Sequence, residues 1–144
     1  MANLLMRAKA TACVSRDSTV MDAIRLMAEK RIGAVLVLQE ERPLGIFTER
    51  DLMLKVVLEK LDPEKTTIGD VMTTPVVPVA EDADITHALG LMLDAHIRHL
   101  PLVDREGRVK GMLSMRHLMR EQIERLEQQV GALANYLGQD GPGG

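Results

Sequence analysis

Short apolar runs alternate with amphipathic stretches along this chain, and the same order of them occurs twice. In the first copy Val20, Ala23, Ile24, Leu26 and Met27 fall on one helical face, behind Ser18 or Thr19 as a cap. Ala34–Leu38 (AVLVL) is short and rich in β-branched residues, the pattern of a buried strand. Gln39–Pro43 reads as a polar turn and Leu44–Phe47 as a second strand. Thr48 then starts a helix, with Asp51 three residues later as a variant capping box. The second copy predicts a strand at Val76–Val79 (VVPV), a helix from about Asp84 to Ala95 and a strand at His99–Val103 (HLPLV). A turn at Asp104–Gly107 and a strand at Val109–Leu113 lead to Ser114. Pro101 cannot donate to a ladder, which predicts an edge strand or a strand start.

Laid without a gap on Val79–Glu106, Val14–Glu41 aligns Val14 with Val79, Asp17 with Asp82, Ala23 with Ala88 and Ile32 with Ile97. After a one-residue slip in the turn, Gly45 meets Gly111 and Arg50 meets Arg116. Both copies therefore predict strand, helix, strand, strand, helix, a mixed α/β fold built from two βαββα units. The expected division is an N-terminal segment 1–9, a first motif 10–60, a linker 61–74 and a second motif 75–120. A C-terminal amphipathic helix 121–138 and a disordered Gly/Pro-rich tail 139–144 complete it. The linker carries a short turn of helix at Ile68–Met72.

The last helix overruns its counterpart in the first copy. Met119, Ile123, Leu126, Val130, Leu133 and Leu137 recur at alternating spacings of four and three, a heptad seam, with charged and amide residues on the other faces. Such a helix packs either on its own domain or against a second subunit. The seam continues past the point where the repeat ends, which favours the second, although Gly131 weakens the helix by roughly 1 kcal/mol relative to Ala.

Composition narrows the function. Of 144 residues, 46% are apolar, enough for a sizeable core. The net charge is −3 and aromatic residues make up 1%, which excludes a basic DNA or RNA binder and a base-stacking platform. A single cysteine, Cys13, rules out an internal disulfide and a Cys-rich metal cluster; at a strand start it reads as a structural thiol. No apolar run approaches the ~20 residues of a membrane span, and MANLLMRAKA lacks a signal-peptide core, so a cytoplasmic protein without membrane association is expected. Hydrolase, zinc-protease and P-loop signatures are missing. His96 and His99 form an H-x-x-H with no third ligand in view, so no metal site is assigned, and His87 reads as a solvated surface residue.

The informative chemistry lies at the two strand-to-helix junctions, Gly45–Asp51 (GIFTERD) and Gly111–His117 (GMLSMRH). Each has Gly, two apolar residues and a hydroxyl at the N-cap. A helix N-terminus offers unpaired N–H groups to a phosphate, and a carboxylate one turn later can accept both hydroxyls of a ribose. From spacing alone, Thr48 and Asp51 fit a plain helix cap equally well.

With its GIFTERD and IRHLPLVD segments (Gly45–Asp51 and Ile97–Asp104), the repeat resembles a pair of CBS motifs, together a Bateman module, over about residues 10–122. The resemblance implies two βαββα motifs packed through their sheets around a pseudo-twofold axis, commonly dimerised into a flat disc. It also implies a regulatory receptor for AMP, ADP or ATP, sometimes NAD or S-adenosylmethionine, without an obligatory cofactor and without catalysis. Carried over residue by residue, it gives Thr48 to phosphate and Asp51 to the ribose hydroxyls. Arg98, His99 and Arg116 go to phosphate, the backbone of Val76 and Val77 to the adenine edge, and Ile46 to the adenine face. In the mirror cleft Ser114 remains, but His117 replaces the carboxylate and Gly33 and Ala34 replace the basic pair, so binding there should be weak. The implied protein is a stand-alone homodimeric sensor of an adenosine-containing molecule, acting on a separate protein. The alternative is a structural dimerisation module with vestigial clefts. An enzyme using Asp51 or His117 ranks last, because spacing supports no base–nucleophile pair.

Overall fold

The computed structural model describes residues 12–140; the expected N-terminal segment 1–9 and the last four residues of the expected tail lie outside the described residues. The order of elements is β1 (Cys13–Ser15), α1 (Val20–Lys30), β2 (Ala34–Gln39), β3 (Arg42–Thr48) and α2, whose first turn Glu49–Asp51 continues as a π-helical segment Leu52–Val57. After α3 (Ile68–Val71) come β4 (Val79–Ala80), α4 (Ile85–Ala95), β5 (His99–Val103), β6 (Val109–Ser114) and α5 (Met115–Asp140). The strands form two sheets ordered β1-β2-β3 and β4-β5-β6, each with one parallel and one antiparallel pair. This is the α/β fold of two βαββα units with an extended C-terminal helix that the repeat predicts.

Local chemistry sets the boundaries. Thr19 caps α1 through a full capping box: Asp22 N–H donates to Thr19 Oγ1 at 3.1 Å and Thr19 N–H to Asp22 Oδ2 at 3.1 Å. Both α1 and α4 stop at a left-handed residue, Arg31 at φ 54° and His96 at φ 55°. The repeat thus extends to the backbone conformation of its helix ends.

Three expectations need correction. The turn after β2 is not Gln39–Pro43 but the two residues Glu40 and Glu41, both at positive φ (52° and 66°), because Gln39 and Arg42 already pair in the ladder. Such a two-residue turn twists the way hairpin strands do. The strand expected at Val76–Val79 is only Val79–Ala80. Pro75 and Pro78 bracket the earlier part and lack the N–H groups a ladder needs. Finally, Pro101 lies in β5, the middle strand of its sheet. It is tolerated because β4 reaches only Leu102 and Val103, leaving β5 unpaired on that side at Pro101.

Alternation along β2 divides the core. Val35 and Val37 face α1 and α3 in a cluster with Val20, Ala23, Phe47 and Ile68. Ala34 and Leu36 face the other way and join Ile46 and Met112, so the two sheets meet through this layer. The second motif has its own cluster of Ile85, Met92, Leu100, Leu102, Leu113 and Leu118. Each such fully buried aliphatic side chain contributes about 1.5–3 kcal/mol. The hairpin turn touches the other motif as well: Val109 N–H donates to the Glu41 carbonyl at 2.8 Å.

Leu118 anchors α5 in the second core and Glu121 and Gln122 are half-buried, but every residue from Ile123 to Gly138 is exposed. The helix runs through Gly138 to Asp140, two residues past its expected end. No described helix is long and apolar enough to cross a membrane.

Candidate functional site

The junction of β3 with α2 is built around a buried carboxylate. Asp51, 6% exposed, is the one buried charged residue among those described. As the sequence predicts, Thr48 is the N-cap and Asp51 closes the box. Asp51 Oδ2 accepts from Thr48 N–H at 3.0 Å and from Thr48 Oγ1 at 3.2 Å, and Asp51 N–H donates to Thr48 Oγ1 at 3.2 Å. The other oxygen is held by residues that sequence reasoning missed. Thr73 Oγ1 donates to Asp51 Oδ1 at 2.8 Å, and Lys55 Nζ lies 3.1 Å from the same oxygen and 3.2 Å from Thr73 Oγ1. A carboxylate has about four acceptor positions, and here the protein itself fills them. Lys55 was legible as an i,i+4 partner on the same helix. Thr73 was not, since it comes from the linker, twenty-two residues downstream.

The linker is brought to this point by backbone pairing. Ile46 and Thr73 exchange both hydrogen bonds, Ile46 N–H to the Thr73 carbonyl at 3.0 Å and Thr73 N–H to the Ile46 carbonyl at 2.8 Å. Gly45 makes the approach possible: a Cβ there would lie 2.6 Å from Met72 Sδ and 3.0 Å from the Thr73 carbonyl oxygen. Behind it, Val76 packs with Ile46 in the layer between the sheets, while Val77 is 39% exposed. Thr48, Asp51, Ile46 and Val76 therefore surround one corner, with Thr73 added to them.

The basic residues are placed by the second motif. His99 pairs with Ser114 across β5 and β6, as Ala34 pairs with Thr48 across β2 and β3. Met115 N–H donates to the Arg98 carbonyl at 2.8 Å, the counterpart of Glu49 N–H to the Gly33 carbonyl at 3.1 Å. Arg98 and Arg116 line an open groove of about 690 Å³ along the start of α5, with Met115, Met119, Arg120 and Ile123. Among the described residues no hydrogen bond or ion pair joins Arg98 or Arg116 to the Asp51 cluster.

The second junction repeats the first only in part. His117 N–H donates to Ser114 Oγ at 3.2 Å, matching Asp51 and Thr48. His117 has no carboxylate with which to return the bond, so the box is one-sided. Elsewhere, Cys13 lies half-buried in β1 and burial pushes its thiol up, which keeps it protonated at neutral pH. His87 is exposed and its N–H caps onto Asp84 Oδ1 at 2.7 Å. No group of three or more His, Cys, Asp or Glu among the described residues could hold a metal ion.

Known proteins share this architecture. A CBS domain family model matches residues 5–58 and again 68–124. An uncharacterized protein of Methanopyrus kandleri is 38% identical over 106 residues, 73% of this chain, and the chain spans 54% of that relative, about half its length. The solved structure of a putative signal-transduction protein with CBS domains from Burkholderia ambifaria is 34% identical, with a TM-score of 0.78 over 85% of this chain and 93% of that one. A CBS domain protein from Pyrobaculum aerophilum, solved in complex with AMP, shares the fold at a TM-score of 0.78 and 23% identity, over 90% of this chain and 99% of that one. Two matched motifs, two sheets in one order and a junction that recurs down to its capping hydroxyl make this chain a member of the CBS domain family, as a tandem pair.

Proposed function

We propose that this chain is a regulatory module that binds an adenosine nucleotide, AMP, ADP or ATP, in the cleft at Thr48 and Asp51, and that it acts as a homodimer on a separate protein in the cytoplasm without catalysis. The observation that carries this is Asp51: a buried carboxylate at a helix N-terminus, its Oδ2 fixed by the cap and its Oδ1 held by two side-chain donors that can let go. Lys55 and Thr73 are themselves half-buried to exposed. Two ribose hydroxyls would replace Thr73 Oγ1 and Lys55 Nζ on Oδ1, one hydrogen bond for another. The adenine would lie against Ile46, with the backbone of Val76 and Val77 at its edge; Thr48, Arg98, His99 and Arg116 would meet the phosphates. The AMP complex of the Pyrobaculum aerophilum protein supports the ligand class.

A thermal-shift screen with AMP, ADP, ATP, NAD and S-adenosylmethionine tests the reading. A ligand at 100 times its Kd stabilises the native state by about 2.7 kcal/mol. No shift with any of the five would count against it. A second reading, a structural dimerisation module with vestigial clefts, is favoured by one observation: the chain's own donors already satisfy Asp51.

A further inference from the structure

From Ile123 onward α5 leaves the body of the protein, and a single helix of this length carrying Gly131 is marginal in water without a partner. Its seam residues Met119, Ile123, Leu126, Val130, Leu133 and Leu137 are 49–66% exposed and follow one face of the helix, an apolar stripe of the kind that marks an interface. The groove at the start of α5 and a second one along Ile123, Leu126 and Val130 share Ile123 and Glu127, so one trough follows the helix.

We propose that this trough is filled by α5 of a second copy, running antiparallel, with Ile123 packed on Leu126 of the second copy and Met119 on its Val130. This goes beyond the homodimer proposed above by naming its contact, orientation and register. Charge selects them. In a heptad seam the residue after each d position flanks the core, and here those residues are Arg120 and Glu127. In the antiparallel register, Arg120 faces Glu127 of the second copy and Glu127 faces its Arg120, giving two opposite-charge pairs by symmetry. A parallel pair would set Arg120 beside Met115 and Glu127 beside Gln122, and would stack Arg116 on its own copy. Sliding the antiparallel pair by one heptad to align all six seam residues would set Glu127 against Glu127. In the chosen register Gln122 meets Gln129, a neutral pair, and Tyr136 reaches Met115 at the head of the groove.

Charge exchange tests this in the full chain, with dimerisation measured by analytical ultracentrifugation. Arg120 and Glu127 are exposed, so the variants keep the fold. Arg120→Glu and Glu127→Arg should each weaken dimerisation on the order of tenfold, by turning two attractive pairs into two repulsive ones. The double variant should restore it to within about threefold of the original. A dimer indifferent to both single changes, or one the double change fails to rescue, overturns the α5 pairing while the homodimer stands. A monomeric full chain overturns both; nucleotide binding, whose proposed phosphate residues Arg98 and Arg116 also line this groove, is read separately by titration.

Discussion

At the scale of single residues, Asp51 does two jobs, and the structure changes what its removal should do. Read as a cap alone, its loss would cost under about 1 kcal/mol. Buried and bonded to Thr48 and Thr73, it should cost about 2–3 kcal/mol as Asp51→Ala, measured by urea unfolding, because hydrogen bonds to a charged acceptor are lost along with the cap. A loss below about 1 kcal/mol would mean that the cluster is loose in solution. Gly45→Ala should destabilise by about 1–3 kcal/mol, since the added methyl meets Met72 Sδ and the Thr73 carbonyl. A neutral result would show that the linker yields easily. Asp104 sets a pH dependence. Partial desolvation pushes its carboxyl up, but the backbone N–H groups of Arg108 and Glu106 and the charges of Arg108 and Lys110 outweigh that, and the net shift is downward. A lowered folded value means a stabilisation present above the ordinary carboxylate pKa and lost as pH falls through the folded one. Asp104→Asn should therefore flatten the acid limb of a stability–pH profile and leave its neutral part lower; an unchanged acid limb would contradict this.

At the scale of elements, the short β-branched-rich apolar run Ala34–Leu38 and the helical period of Val20–Met27 predicted β2 and α1 because each pattern is a local property of its segment. The Ile46–Thr73 pairing and the place of Pro101 depend instead on distant chain. Nothing near Thr73 announces that Ile46 will pair with it, and nothing near Pro101 announces that β4 will stop short. The junctions were legible for the opposite reason: Thr48 and Asp51 are three residues apart and bond to each other. The hairpin at Glu40–Glu41 could not be placed from composition, since both residues take a conformation more natural to Asn and Gly. Replacing this pair with Asn-Gly should accordingly stabilise the protein by about 1 kcal/mol, read as a rise in Tm. A fall would mean that these glutamates make contacts stronger than the backbone strain they bear.

At the scale of the whole molecule, the repeat explains both the likeness of the two junctions and their difference. Corresponding hydrogen bonds hold Met115 to Arg98 and Glu49 to Gly33, so shape is shared and chemistry must discriminate. The first junction has a carboxylate that the second replaces with His117. A charged hydrogen bond is worth about 1.5–3 kcal/mol, so its loss costs roughly tenfold or more in affinity. Calorimetric titration of the full chain with AMP tests this most directly. The account predicts one AMP per chain, with affinity reduced at least tenfold in a folded Asp51→Asn variant. Two equivalent AMP molecules per chain, or an affinity that Asp51→Asn leaves unchanged, would contradict it.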